Sequence, residues 1–517
     1  MPPSPIRSRR PAILPLLAAI AVSAIPPATP TGKGTGGASR PARRPASSAT
    51  GEPAAVATPL AARLQPLLRA PALHPDETGV AILLLPSGRP VLTRNADRPL
   101  RPASTLKIVT SAAALALLKP EYVYATRLLG DAPIGADGTL PRNLYIQGSG
   151  APDLVGESWW LMARRLASLG LRRVEGDLVG DDSYFDAVRR PPGWPAPSAD
   201  SWYNAPVGAL SCNFNVVTVR VDPSPLVGAR PDITLEPISS YFQVLDRATT
   251  VGGATSLTVA RGFEEGRNTL VISGTLRRGG GPFFAHRGVE DPTLYALHCF
   301  QEIAHSEGIE IGGTLRVGTA PDGAKEIDRY ESRPLGSLVR DMNKNSNNFM
   351  AEAILKTLAA QFVEQPGTTA NGIEVVRTYL AGLGIDPAAL QVVDASGLSD
   401  QDRVPARLIA EVLARAHDDF EVGPELAASL PIGGADGTLE DRFGGEEAKR
   451  RVRAKTGRIA GALSLAGYAV NRDGRRLAFV ILANQPRGSI DAVHQAIDRV
   501  VDEIVQSADA DLGPLLN

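Results

Sequence analysis

The segment Ser104-Thr105-Leu106-Lys107 is the first place in this chain where two side chains could do chemistry together. On a helix, residues three apart share a face, so the hydroxyl and the amine can touch. A lysine that has lost its proton can take one from the serine and so activate it as a nucleophile. The chain uses lysine sparingly, with eight lysines against 46 arginines. A guanidinium stays charged in a protein, whereas a buried ammonium shifts its pKa readily. Lysines kept in an arginine-biased chain are therefore candidates for proton transfer. Ser104 and Lys107 form the only S-x-x-K in the sequence, but eight lysines make one accidental match unsurprising.

Two further clusters add weight. Ser346-Asn347-Asn348, just past Lys344, offers a hydroxyl and an amide two positions apart. The hydroxyl can relay a proton, and Asn348 can hold a substrate amide through both donor and acceptor. Alone, this reads better as a polar loop or a helix cap. Lys455-Thr456-Gly457 supplies a cation, a hydroxyl and a glycine that admits a ligand backbone close to a strand. Each element is weak by itself; three in this order, each on a suitable element, are hard to assign to chance.

The elements that would position them can be read from patterning. Residues 80–85 are apolar, Pro86-Ser87-Gly88 breaks the run, and 91–93 resume it, which predicts a β-hairpin. Pro102 precedes a predicted helix over 104–118, with Leu106, Val109, Ala113 and Leu117 near helical spacing. Ser104 would then sit at a helix start, where unpaired N–H groups favour developing negative charge. Residues 129–330 alternate short apolar runs with Gly, Pro and Asp turns and read as one or two strand-rich insertions. Helical patterning returns over 334–358, 375–383 and 406–416. Strands are predicted over 451–455, 463–470 and 477–482. Ser489 then caps a closing helix in which Ile490, Val493, Ile497, Val500, Val501 and Ile504 share a face.

The expected fold class is α/β (α+β), one antiparallel sheet flanked by helices with strand-rich domains inserted between the first two motifs. The first catalytic part would span 59–128, the insertion 129–330 and the second catalytic part 331–510. Ahead of these, Arg7, Arg9 and Arg10 with the apolar stretch 12–25 read as an export signal over 1–25. Whether the route is general or twin-arginine stays open. Residues 26–58, rich in Pro, Ala, Gly, Ser and Thr, read as a disordered linker.

Composition excludes several classes. The formal net charge of -1 over 517 residues gives no reason to expect a nucleic-acid partner. The six histidines are scattered without metal-ligand spacing, so neither a metal nor a cofactor is expected. No G-x-S-x-G elbow exists, which removes Gly148-Ser149-Gly150 as a hydrolase nucleophile. The two cysteines, Cys212 and Cys299, are expected as buried free thiols.

The order Ser104-x-x-Lys107, Ser346-x-Asn348, Lys455-Thr456-Gly457 resembles that of the penicillin-binding protein and serine β-lactamase superfamily. Ser346 follows Ser104 by 242 positions, far more than in simple β-lactamases. That spacing resembles the type-4 class of low-molecular-mass penicillin-binding proteins, the D-alanyl-D-alanine carboxypeptidases of peptidase family S13. Local phrasing agrees, in LYIQGSGAP at 144–152, Asp394-Ala395-Ser396-Gly397-Leu398-Ser399 and LPIGGADGTL at 430–439.

The resemblance implies a transpeptidase-like domain acting on peptidoglycan stem peptides, with β-lactams as covalent inhibitors. It makes Ser104 the acylated nucleophile, Lys107 its general base and Ser346 the group that passes a proton to the leaving amine. Asn348 would bind the acyl-side amide. Lys455, staying charged, would hold the terminal carboxylate with Thr456, beside Gly457, and the N–H groups of Ser104 and Arg458 would form the oxyanion hole. Arg458 stands where small hydroxyl residues are frequent. Asn347 stands where Asp is common, and its side chain is expected to face away. Asp181 and Phe185 fall where some relatives recognise the stem-peptide side chain; a turn and a core aromatic are the alternative. Rival readings are an esterase, D-aminopeptidase or β-lactamase-like hydrolase on the same scaffold, or a weakly catalytic cell-wall binding protein. Association into a homo-oligomer stays open.

Overall fold

Strand β1 (Thr78–Leu84) has no polar face, because all seven of its residues are buried. Successive strand residues point to opposite sides of a sheet, so such a strand must be covered twice. Val80, Ile82 and Leu84 join one apolar cluster, and Ala81 and Leu83 join another. The computed structural model describes residues 58–194, 201–264 and 267–513. The expected export signal at 1–25, and the expected linker apart from Thr58, lie outside the described residues. Thr58 caps helix α1 (Pro59–Leu67), its hydroxyl accepting from the Ala61 N–H at 3.1 Å.

β1 pairs with β2 (Arg89–Arg94) in the predicted hairpin. On its other side it pairs with a strand nearly 400 positions later, Ile82 lying opposite Phe479. The full sheet is antiparallel in the order β3 (Val452–Ile459), β4 (Ala462–Val470), β5 (Arg476–Asn484), β1, β2. β3, which carries the Lys-Thr-Gly motif, is therefore an edge strand. Helix α1 and the closing helix α7 (Ile490–Gln506) cover one face. Ser489 caps α7 as expected, accepting from the Ala492 N–H at 3.2 Å. Val493, Ile497, Val500, Val501 and Ile504 are buried, but Ile490 is 37% exposed and turns towards the cleft described below.

The other face is covered by helices that include α2 (Lys107–Leu118) and α5 (Ala406–Asp418). Every residue of α2 from Lys107 to Leu115 is buried, so this helix is surrounded on all sides. The predicted helix over 104–118 begins as a single tight turn, Ala103–Leu106, before the α-helix proper. The predicted helix over 334–358 is in fact two, α3 (Leu335–Asn345) and α4 (Asn348–Phe362). Ser346 breaks it in a left-handed conformation, φ 56° and ψ 37°, and Asn347 caps the second helix. Ser and Asn favour caps because their side chains compete for backbone groups inside a helix. Helix α6 (Val422–Ser429) follows α5.

Between α2 and α3 the chain builds a mixed five-stranded sheet in the order Leu315–Val317, Leu178–Asp181, Leu144–Gln147, Ala125–Gly130, Lys325–Glu331. Its first three strands are parallel, and parallel neighbours need a crossover. Helix Gly156–Ser168 supplies one, burying Trp159, Met162, Ala163 and Leu166. The insertion is thus less purely β than expected. The expected boundary at 128/129 falls inside Ala125–Gly130, a strand that pairs only within this second sheet. Three three-stranded sheets complete the strands of the described residues. Cys212 and Cys299 are buried free thiols. No helix among the described residues is long and apolar enough to cross a membrane.

Ile82→Ala truncates the centre of β1 beneath α1 and α7. It is expected to lower the unfolding free energy by about 2–5 kcal/mol in urea titrations followed by circular dichroism. An unchanged midpoint would contradict a sheet covered on this face.

Candidate active site

The serine turn is held from several sides. Ala103 has φ 47°, a left-handed conformation that a residue with a side chain seldom adopts outside constrained sites. The Pro102 carbonyl accepts from Thr105 Oγ1 at 2.6 Å and from Ser464 Oγ at 2.7 Å, which ties the turn to β4. Gly397 packs so closely that an added Cβ would collide with the Ala103 carbonyl oxygen. Gly457 lies equally close: a Cβ there would stand 2.9 Å from the Ser104 nitrogen and collide with Ser464 Oγ. The glycine of the Lys-Thr-Gly motif was expected to admit a ligand backbone. In the structure it admits the nucleophile's own turn.

Lys107 opens α2 with its side chain fully buried. Its Nζ donates to Ser104 Oγ at 2.9 Å, to Asn348 Oδ1 at 2.6 Å and to the Ser396 carbonyl at 2.9 Å. Burial depresses its pKa to about 7, opposed in part by Asp394 and Glu352. That corresponds to roughly 5 kcal/mol in favour of the neutral amine relative to water. A neutral Nζ keeps a lone pair, and Ser104 Oγ is within proton-transfer distance of it.

Behind Lys107 lies a layer of carboxyl groups that the motifs do not reveal. Asp394 accepts from the N–H groups of Ser396 at 2.9 Å, Gly397 at 2.6 Å and Ser399 at 2.9 Å, and from Trp194 Nε1 at 2.7 Å. The loop wraps around this carboxylate and so aims the Ser396 carbonyl at Lys107. Glu352 accepts from the Ala395 N–H. Burial, and then the charge of Asp394, push Glu352 up to about 8 and Asp402 up to about 9. This raised proton affinity lessens the negative charge beside Lys107 near neutral pH.

The second and third motifs meet across the cleft. Lys455 Nζ donates to Ser346 Oγ at 2.9 Å and to the Thr456 carbonyl at 2.8 Å. Burial, followed by the nearby Lys107 amine, pushes the Lys455 pKa well below its usual value. This differs from the expectation of a permanently charged Lys455, since two buried amines so placed disfavour each other's protons. Thr456 Oγ1 donates to Thr438 Oγ1 at 2.7 Å. Asn348 Nδ2 donates to the Tyr203 carbonyl at 2.9 Å, so the insertion reaches the site. Asn347 Oδ1 accepts from the Met350 N–H at 3.0 Å, a structural cap turned away from the serines. The cleft in front of Ser104 has a volume of about 1160 Å³, and Ser346, Asn348, Tyr203, Asp400 and Arg458 also line it.

Three sequence-level candidates lie elsewhere. Asp181 is fully buried in the insertion sheet, accepting from Ser183 Oγ at 2.6 Å, Gln147 Nε2 at 2.9 Å and the Ala320 N–H at 3.0 Å. Phe185 is 3% exposed, packed over Gly150 and tilted against Tyr184. Neither reaches the cleft: one is the anchor of a turn, the other a core aromatic. Lys344 bonds the Leu430 carbonyl at 2.7 Å and Asp436 at 2.6 Å, fixing the 430–439 loop. Trp202 and Tyr203, both exposed aromatics, also line the cleft, a position that no spacing in the sequence announces.

Over residues 60–506 the sequence matches the D-Ala-D-Ala carboxypeptidase 3 (S13) family. The chain belongs to that family. This S13 enzyme is 32% identical over 446 residues to a D-alanyl-D-alanine carboxypeptidase of Actinomadura sp. (strain R39), covering 83% of this chain and 82% of that one. It is 28% identical over 390 residues to D-alanyl-D-alanine carboxypeptidase DacB of Haemophilus influenzae, covering 74% of this chain and 80% of that one. The crystal structure of penicillin-binding protein 4 (dacB) from Haemophilus influenzae superposes with a TM-score of 0.74 at 24% identity, covering 86% of this chain and 99% of that one. The β-lactamase/transpeptidase-like fold with an inserted region is thereby established.

Two measurements test the geometry. Acylation by a β-lactam is expected to speed up as pH rises through about 7 and then level off, because Lys107 acts only after losing its proton. A rate independent of pH across that range would exclude Lys107 as the base. Gly457→Ala is expected to slow acylation by about 100-fold or more, since positional errors near 1 Å have that cost. Near-normal labelling would show that the approach of β3 to Ser104 is dispensable.

Proposed function

We propose that this S13 enzyme hydrolyses D-alanyl-D-alanine and D-alanine-linked cross-links of peptidoglycan stem peptides through an acyl-enzyme on Ser104. The observation that carries the reading is the 2.9 Å contact between Ser104 Oγ and Lys107 Nζ, a buried amine with a pKa of about 7. Neutral Lys107 takes the hydroxyl proton as Ser104 Oγ bonds to the D-alanyl carbonyl carbon. The backbone N–H groups of Ser104 and Arg458 hold the resulting oxyanion, a contribution that is often the largest in acyl transfer. Ser346 Oγ, supported by Lys455 Nζ, gives its proton to the leaving nitrogen as the C–N bond breaks. The proton held by Lys107 passes to Ser346 Oγ, which restores both groups. Water then attacks the ester carbonyl as neutral Lys107 takes its proton. That proton goes to Ser104 Oγ as the acyl C–O bond breaks and the shortened peptide leaves.

Substrate placement follows from the same groups. The Asn348 amide, already tied to Lys107 and to Tyr203, bonds the acyl-side amide. The terminal carboxylate lies towards Lys455 and Thr456 on β3. An arriving carboxylate supplies the opposite charge that draws a proton back onto Lys455. With an export signal expected at its N-terminus, the enzyme meets its substrate outside the cytoplasmic membrane. β-Lactams acylate Ser104 in the same geometry.

Fluorescent penicillin is expected to label the wild-type protein and not Ser104→Ala. Wild-type protein should also release D-alanine from a pentapeptide, with product masses from intact muropeptides separating carboxypeptidase from endopeptidase cleavage. A purified, folded protein that neither labels nor releases D-alanine would sink the proposal.

A further inference from the structure

A second cavity, of about 550 Å³, shares no lining residue with the catalytic cleft. Its floor is formed where β3, β4 and β5 end together, and one wall is formed by the ends of α5 and α6. Arg450, Arg451, Arg453 and Arg476 line it, together with His417 and Tyr468. No carboxylate is among the lining residues. That is unexpected in a chain whose 55 acidic residues outnumber its 54 cations. Many of the other arginines are ion-paired, such as Arg63 with Glu503 and Asp511, or Arg442 with Asp498. Among the described residues, none of these four makes an ion pair.

Several acidic residues near in sequence are engaged elsewhere, while Glu447 lines a neighbouring pocket that shares Arg451. Glu421 pairs with Lys119, Glu425 sits beside Gly336, and Asp436 pairs with Lys344. Asp418 bonds His417 Nδ1 at 3.1 Å. With Nδ1 donating to that carboxylate, Nε2 is free to accept from Arg476 Nη1 at 3.3 Å, which fixes that guanidinium through the imidazole. Arg451 donates to the Asn471 carbonyl at 2.8 Å and Arg453 to the Ala427 carbonyl at 3.2 Å. Each of these bonds uses one of a guanidinium's five N–H donors. Arg450 is held by backbone geometry, with φ 63° and its N–H on the Gly433 carbonyl at 2.9 Å. Four like charges around one concavity repel one another unless an anion lies between them.

We propose that this cavity binds a phosphate-bearing anion with more than one phosphate group, such as an oligophosphate or a short stretch of phosphodiester chain. Guanidinium forks match phosphate oxygens two at a time. The volume lies within the range of about 300–1000 Å³ typical of small-molecule sites, which exceeds what a single phosphate fills. Tyr468 turns its hydroxyl to the Leu413 carbonyl at 2.8 Å, leaving the ring as an apolar wall for the carbon skeleton between phosphates. The site is independent of the chemistry at Ser104.

Calorimetric titration of the full chain with sodium pyrophosphate, and separately with a short poly(glycerol phosphate) oligomer, tests this. Binding of at least one probe is expected, weakening as ionic strength rises. Tighter binding of the oligomer would identify a polymer as the source, and binding of pyrophosphate alone a free phosphate. The double variant Arg450→Gln/Arg476→Gln should lose about tenfold or more in affinity. Arg173→Gln, which removes an exposed arginine of the insertion, should leave affinity unchanged. Penicillin labelling retained in both variants certifies their fold. Absence of binding up to millimolar concentration, or equal loss in both variants, would overturn the proposal.

Discussion

Three parts of the chain far apart in sequence place an oxygen on the same buried nitrogen. Ser104 does so from its own turn, Asn348 from the start of α4, and Ser396 from the loop around Asp394. Burying an amine is unfavourable unless its protons find partners or it gives one up. Lys107 sits at the balance of those two options. The acceptors keep it in place, while the surrounding apolar core lowers its proton affinity enough for it to act as a base near neutral pH. The strained Ala103, the close glycines at 397 and 457, and the break between α3 and α4 all serve that one placement.

The charge state of the site is a collective property. Lys107 and Lys455 are both fully buried and each disfavours a proton on the other. On the opposite side, backbone N–H groups bond Asp394, while burial raises the proton affinity of Glu352 and Asp402. The carboxyl layer therefore offers less negative charge than its composition suggests. No single motif encodes this balance. It arises from Glu352 on α4 and from Asp394 and Asp402, on a loop beyond helix Thr369–Gly382, packing behind α2.

Much of the catalytic region was legible because its sequence is locally consistent. The hairpin of β1 and β2, the strands around Lys455 and the Ser489-capped closing helix follow from apolar period and turn chemistry. The insertion was less legible. Helix Gly156–Ser168 shows helical spacing at Trp159, Met162, Ala163 and Leu166, a signal masked by the strand-like runs around it. Asp181 and Phe185 were plausible substrate contacts by position, yet both are buried, a fact their residue types do not disclose. Likewise the net charge of -1 conceals four arginines gathered around one cavity, because composition averages over a surface that folding partitions.

By itself the sequence pointed to the chemistry: a serine beside a lysine, a serine–asparagine pair and a Lys-Thr-Gly strand, in the order of the penicillin-binding protein and serine β-lactamase superfamily. A nucleophile and its base three residues apart need only a local turn, so their pairing is written in the chain. Tertiary structure decided which charges those groups carry and what surrounds them. Lys107 can be neutral only because residues hundreds of positions away exclude water from it. The role of Gly457, too, emerges only when β3 is seen lying against the Ser104 turn. Burial and long-range contact set proton affinity, and neither exists until the two ends of the chain close into one sheet.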